Sequence, residues 1–287
     1  MRILQISDTH LGAKLNARGP AGWSRADDHF EAVRAALRPA FRGEVDLVVH
    51  AGDVFDRSAP PRRDVERAAD LFRAVAQRVP VVGIAGNHDR KGIQRWLPHR
   101  SLRFVDRADV VEQNGRRFGL LPFHRRAEDF AHEVARLLRS GPLDLLFCHA
   151  AFAGSRVPGF TFRVAPPGSR RHTDVVGLRH LEAAGVPLDA IGAIGSGHIH
   201  PRQALRLGPL EVVHGGSTER TSFSEAGQRK GAVIWDLSGD GPTWHFVDHA
   251  TRPMAREAAP GVLVRCALEA VARVRKAGAI AVVQGGR

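Results

Sequence analysis

Five short segments of this chain carry side chains able to hold metal ions: Asp8-Thr9-His10, Gly52-Asp53, Gly86-Asn87-His88-Asp89, Cys148-His149 and Gly197-His198-Ile199-His200. Each directly follows an apolar run. Carboxylate, amide and imidazole donors at the ends of several strands can hold two divalent cations beside a phosphate. Asp8 and His10 are two residues apart, so an extended loop presents both to one ion. Gly52 lets the backbone turn tightly, and the two carboxylate oxygens of Asp53 can bind separate metals. Asn87 offers a neutral carbonyl oxygen, and His149, His198 and His200 offer imidazoles, with Ile199 pointing the other way.

Charge supports this chemistry. Two divalent ions bring four positive charges, of which Asp8 and Asp53 remove two and a bridging hydroxide one more, leaving a site that favours phosphate. A bridging water made acidic by two metals is also the nucleophile that in-line attack on phosphorus requires. Taken alone, His149 reads as a packed histidine and Asp8-Thr9-His10 as a weak signal; all five segments in this order argue against a purely structural origin.

The elements that must position these residues are legible as apolar runs. Ile3 to Ile6, Val45 to Val49, Val81 to Ala85, Leu143 to Phe147 and Ile191 to Ile194 read as strands buried on both faces, and the candidate ligands sit just past their carboxyl ends. Helical spacing separates several of them. Ser24 and Asp27 form a capping box ahead of Phe30, Val33, Leu37 and Phe41, with Gly43 as the stop. A second helix follows Pro60 and Pro61, and a third spans about Arg125 to Arg139. Shorter runs at Arg117 to Leu121, Glu211 to His214 and Ala232 to Leu237 suggest a second, more antiparallel sheet, and the whole an α/β layered sandwich. Residues 150 to 177 form a long aperiodic loop rich in Gly, Pro and Arg.

At 287 residues the chain suits one large domain plus an appendage. The expected division is 1–250 for the main domain and 251–287 for a helix and strand too small for their own core. Two cysteines, Cys148 and Cys266, provide no disulfide framework and fit a reducing compartment. No membrane-length apolar run or signal-peptide pattern is present, so the expectation is a soluble cytoplasmic protein with no membrane association. The net charge of +12 suits a polyanionic partner such as nucleic acid, although an arginine-rich composition with only four lysines can arise without any binding role. Position is more telling than the total. Lys14, Arg18, Arg57, Arg62, Arg63, Arg90, Lys91 and Arg202 all follow the metal motifs closely.

The set of motifs resembles the calcineurin-like metallophosphoesterase superfamily, which implies a four-layered α/β/β/α sandwich. Within it, Ser7-Asp8-Thr9-His10-Leu11-Gly12, Ala51-Gly52-Asp53-Val54-Phe55-Asp56-Arg57 and Gly216-Ser217-Thr218-Glu219-Arg220 are similar to the SbcD nuclease family, over about residues 1 to 250. The resemblance implies one metal held by Asp8, His10, Asp53 and His200, and another by Asp53, Asn87, His149 and His198. It implies that His88 protonates the leaving oxygen or stabilises the transition state, with Asp89 orienting its ring. Asp56 stands where archaeal members carry a histidine, and residues 251–287 resemble only part of the family's capping domain, as in a shortened chain or homologue.

The function this implies is a manganese-dependent DNA phosphodiesterase in DNA repair, an exonuclease and also an endonuclease near ends or hairpins. An SbcC-type ATPase partner is implied too, as is a homodimer built from helices around Val65 to Val79 and Ile93 to Leu97, with Trp96 and Leu97 as anchors or as core. DNA contacts would fall on Arg57, Arg90, Arg156, Arg163, Arg170, Arg171 and Arg202, through backbone phosphates. Two alternatives stay open: a phosphodiesterase or phosphatase for small molecules, and a non-catalytic scaffold that binds DNA ends.

Overall fold

The computed structural model describes residues 1–14, 23–89, 92–166, 169, 173–259 and 280–285. Parallel strands β1 (Arg2–Ile6), β2 (Leu47–His50), β3 (Val81–Ile84) and β4 (Leu102–Val105) start one sheet. A second contains β5 (Asp109–Gln113), β6 (Arg116–Leu121), β7 (Leu143–His149), β8 (Ile191–Gly197), β9 (Gln203–Leu207) and β10 (Leu210–His214). The chain then returns to the first sheet with β11 (Gly231–Asp236), antiparallel to β1, and β12 (Thr243–Asp248) outside it. The two six-stranded orders are β12-β11-β1-β2-β3-β4 and β9-β10-β8-β7-β6-β5.

Alternation along β1 explains the layers. Ile3 faces Phe118, Phe147 and Trp235 in the core between the sheets, while Leu4 and Ile6 face the helical side. On that side α1 (Arg25–Ala36), α2 (Arg38–Phe41) and α3 (Arg62–Ala76) cover the first sheet with Phe30, Val33, Leu37, Ala68, Phe72 and Val75. Helix α4 (Ala127–Leu138) covers the second sheet with Phe130, Val134 and Leu137, and α5 (Leu178–Ala183) adds Leu181. The result is α/β/β/α, with one polar device in its middle. Gln5, fully buried on β1, accepts a hydrogen bond from the Trp235 indole at 2.8 Å and donates to the Ser196 carbonyl at 3.2 Å, linking the sheets.

The strand assignment differs from the sequence expectation in one respect. Leu143 to Phe147 and Ile191 to Ile194 belong to the second sheet, and Ala232 to Leu237 supplies an antiparallel strand of the first. The second sheet is therefore parallel at its centre, β6-β7-β8-β10, with antiparallel strands outside. Any strand buried on both faces reads as an apolar run, so the pattern does not name the sheet. The expected capping box is also absent. Ser24 stands at the N-cap of α1 without a side-chain bond, and Asp27 lies in its first turn.

Within the long loop, Arg156–Val157 pairs with Phe160–Thr161, and Val175–Val176 runs beside Ala151–Phe152. After β12, Met254–Ala259 and Ile280–Gly285 pair as a separate parallel ribbon. The helix expected within 251–287 and Cys266 lie outside the described residues.

Candidate metal centre

Three parallel strands of the first sheet and two of the second end at one place. There β1 delivers Asp8 and His10, β2 Asp53, β3 Asn87, β7 His149, and β8 His198 and His200. All seven expected donors meet at this point. The turns that aim them are strained: Asp8, His10, Asp53 and His198 have φ of 50°, 42°, 55° and 74°, a region that costs a non-glycine residue of order 1–3 kcal/mol. Two glycines permit the close approach. A Cβ at Gly52 would lie 2.2 Å from His149 Nδ1, and one at Gly86 2.1 Å from Asp53 Oδ1.

The donors divide into two halves that share Asp53. In one, His10 Nε2 and His200 Nε2 are 3.1 Å apart, with Asp53 Oδ2 at 3.8 Å from the first and Asp8 Oδ1 at 3.9 Å from the second. In the other, His149 Nε2 lies 3.4 Å from Asp53 Oδ2 and 3.0 Å from Asn87 Oδ1, which is itself 2.9 Å from His198 Nδ1. A single oxygen, Oδ2, thus faces both halves, rather than one oxygen for each. Its partner Oδ1 accepts the His88 N–H at 2.8 Å.

These residues fit divalent cations. His200 donates through Nδ1 to Glu225 Oε1 at 2.9 Å, and His149 through Nδ1 to the Ala51 carbonyl at 2.8 Å, so each turns Nε2 inward. Imidazole nitrogens and carboxylate oxygens then crowd one space, an arrangement that calls for positive charge between them. Asp8-His10-His200 and Asp8-Asp53-His149 each bring three ligand atoms within 4.8 Å of one another, as does His10-Asp56-His88.

Protonation tells the same story. Burial opposes a charge on His149, yet Asp53 and Asp8 outweigh it and raise the imidazole to about 9. For Asp53, burial pushes the carboxyl up, but His149 and His10 bring it well below the ordinary range. Burial pushes His198 down to about 3 and depresses His10 strongly. His200 is raised in spite of its burial by Glu225 and Asp8.

Several supporting residues escaped the sequence reading. Glu225 bonds His200 and is met by the buried ammonium of Lys230 at 2.7 Å, which also donates to Ser217 Oγ at 2.6 Å. Arg25 pairs with Glu219 at 3.4 Å, so Ser217 and Glu219 of the Gly216 to Arg220 stretch anchor this wall. Thr9 Oγ1 meets His50 Nε2 at 3.0 Å, and His29 Nδ1 donates to the Thr9 carbonyl at 2.9 Å. Burial lowers both imidazoles to about 3, so they brace the first motif as neutral rings. Two histidines set within ordinary core patterns gave no signal of this, and Glu225 is distant in sequence from its partner.

Other expected roles change. Asp89 does not orient His88: its carboxylate accepts N–H bonds from Val54, Phe55 and Gly86 at 2.9–3.1 Å, tying the second motif to the third. Burial and the charge of Asp53 raise it to about 6. The His88 ring instead donates from Nδ1 to the Asp56 carbonyl at 2.7 Å and stands exposed, its centroid 4.9 Å from that of His10. Arg202 is engaged by Asp248 and lies over the Phe246 ring at 4.9 Å, so it is not a free cation in this structure. Arg57, Arg156 and Arg163 are exposed; Arg90, Arg170 and Arg171 lie outside the described residues. Leu97 is fully buried in the first sheet's helical core and Trp96 packs on Phe55, so both serve as core.

The calcineurin-like phosphoesterase model matches residues 1–254. The chain belongs to that family. Among its relatives, the DNA double-strand break repair protein Mre11 of Methanosarcina mazei is 28% identical over 263 residues, covering 84% of this chain and 37% of that protein. Mre11 of Aeropyrum pernix is 35% identical over 283 residues, covering 89% and 62%. The SbcD component of the SbcCD nuclease of Bacillus subtilis is 26% identical over 286 residues, covering 86% and 69%. The chain thus spans between about a third and just over two thirds of these relatives' lengths.

Proposed function

We propose that this chain is a two-metal DNA phosphodiesterase, an exonuclease that also cuts near ends or hairpins, acting in DNA repair. The observation that carries it is the meeting of seven donors across two sheets around Asp53 Oδ2, in a chain whose relatives are named as DNA repair proteins and a nuclease component. Asp8, His10, Asp53 and His200 would hold one ion, and Asp53, Asn87, His149 and His198 the other. Mixed imidazole and oxygen donors suit manganese. When bound, two such ions supply an acidified water and a positive field for the phosphate.

The chain's own residues do the rest. Buried Asp8 and Asp53 keep the centre's charge low enough for product to leave, and the strained turns hold the donors in place before substrate arrives. With Nδ1 donating to the Asp56 carbonyl, the exposed His88 ring leaves Nε2 uncommitted, free to hold a proton for the departing oxygen. Arg57, Arg156 and Arg163 contact backbone phosphates, a salt-sensitive and weakly sequence-selective mode.

The proposal extends to a cytoplasmic location, to residues 251–287 as an appendage of the 1–250 domain, to a homodimer and to an SbcC-type ATPase partner. Among the described residues, no helix is long and apolar enough to cross a membrane. Degradation of linear duplex DNA in manganese, set beside hydrolysis of bis-p-nitrophenyl phosphate, tests the reading. Both reactions are expected; turnover of the small ester without DNA cleavage would move the assignment to a small-molecule phosphodiesterase.

A further inference from the structure

The imidazoles of the centre differ in what stands behind them. His200 and His149 each commit the outer nitrogen to a hydrogen bond, with Glu225 Oε1 at 2.9 Å and the Ala51 carbonyl at 2.8 Å. His198 is turned the other way round: Nδ1 faces inward, 2.9 Å from Asn87 Oδ1, and Nε2 is the outer nitrogen. The group across from it is a carboxylate of the long loop, Asp174, whose Oδ2 lies 4.0 Å away. That is about 1 Å beyond hydrogen-bond reach.

Packing brings Asp174 there. The residue before it is clamped twice, since the Thr173 carbonyl accepts the Ala127 N–H at 2.7 Å at the start of α4, and Thr173 Oγ1 donates to the Arg125 carbonyl at 3.1 Å. The residue after it, Val175, is fully buried in a small apolar cluster with Ala151 and Ile199, and with Val176 runs parallel to Ala151 and Phe152. Ile199 directly follows His198, so the backbone bearing the carboxylate and the backbone bearing the imidazole are locked together one residue away. The carboxylate itself is 30% exposed, at the wall of a cavity of about 1190 Å³ that opens beside Asn87. A rotation of its side chain closes the gap to His198. Asp174 is also the sole acidic residue between 150 and 177, a stretch otherwise rich in arginine.

When Nδ1 of an imidazole binds an ion, the ring proton stays on Nε2, and a carboxylate that accepts it raises the ring's basicity and fixes its plane. We propose that Asp174 is a positioning residue for the second half of the centre: it accepts a hydrogen bond from His198 Nε2 and so steadies the ion shared by Asn87, His149, His198 and Asp53. This rests on the two-metal reading above and adds that the long loop sets the retention of one of the two ions.

Calorimetric titration of manganese into the full chain tests it. Asp174→Asn is expected to weaken one of two binding steps about 10-fold, the low end for an outer partner of a metal ligand, and that step is the one Asn87→Ala moves. Asp174→Glu keeps the carboxylate and is expected to restore it. DNA turnover by Asp174→Asn should regain the wild-type kcat when manganese is raised, because the residue acts on ion retention and not on bond breaking. Glu133→Gln removes the same charge from the same cavity wall, where Glu133 meets Arg136 at 2.8 Å, and should leave both steps unchanged. Two intact steps in Asp174→Asn, or the same weakening in Glu133→Gln, would overturn the assignment of Asp174 and leave the two-metal reading standing. A wild-type chain that takes up fewer than two ions would overturn that reading itself.

Discussion

The two halves of the centre share Asp53 but are supported differently. Around His10 and His200 the carboxylate backing falls on His200: Glu225, itself neutralised by buried Lys230, stands 2.9 Å behind it, while Asp56 Oδ1 lies 3.8 Å from His10 Nδ1, which has no hydrogen-bond partner among the described residues. Around Asn87, His149 and His198 the backing is slighter. His149 leans on the neutral Ala51 carbonyl, and Asn87 is exposed on the loop after β3, beside the cavity. A carboxylate behind an imidazole raises its basicity and fixes its ring, so the first half is built to hold an ion tightly. On the proposed reading, the second meets substrate.

Substitutions can break this comparison. The largest effect belongs to Asp53→Asn, which removes the oxygen common to both halves. Calorimetric titration with manganese should then lose both binding steps, and DNA turnover should fall more than about 100-fold, beyond the usual effect of an outer partner. Retention of one intact step would mean the halves do not depend on a shared oxygen. Next is Glu225→Gln, expected to weaken one step by about 10–100-fold and leave the other in place. Equal shifts in both would erase the distinction between the halves. Asn87→Ala should do the converse, weakening the other step by about 10-fold or more, since a direct donor matters no less than a supporting group. The smallest effect is expected from Trp235→Phe, which deprives Gln5 Oε1 of its indole donor far from the donors. It should cost about 1–2 kcal/mol in urea unfolding with both manganese steps unchanged.

What could be read in the sequence follows the same division. The donors announced themselves because each follows an apolar strand, and parallel strands buried on both faces place whatever follows them at one edge. The layered α/β/β/α architecture came from the resemblance that those motifs carry. Which strand joins which sheet was not legible, because Leu143 to Phe147 looks no different from Val81 to Ala85 although the two lie in opposite sheets. The supporting shell was hidden for a related reason. Glu225 and His200 are 25 residues apart, and Asp89 reads as a partner of its neighbour His88 until the fold turns its carboxylate toward Val54 and Phe55. Arg202 follows a metal motif closely, yet Asp248 and Phe246, both brought in by β12, occupy it. Spacing along the chain locates donors; contacts made across the sheets decide what steadies them.

The central claim is that this centre cleaves the DNA backbone with His88 serving the departing oxygen. A time course of end-labelled linear duplex in manganese, run on the wild-type chain beside His88→Ala, addresses it directly. The account predicts shortening by the wild-type chain, abolished by chelation, and a rate at least about 100-fold lower in the variant, the contribution usual for a positioned general acid. Equal rates in the two proteins, or degradation that persists in chelator, would contradict it.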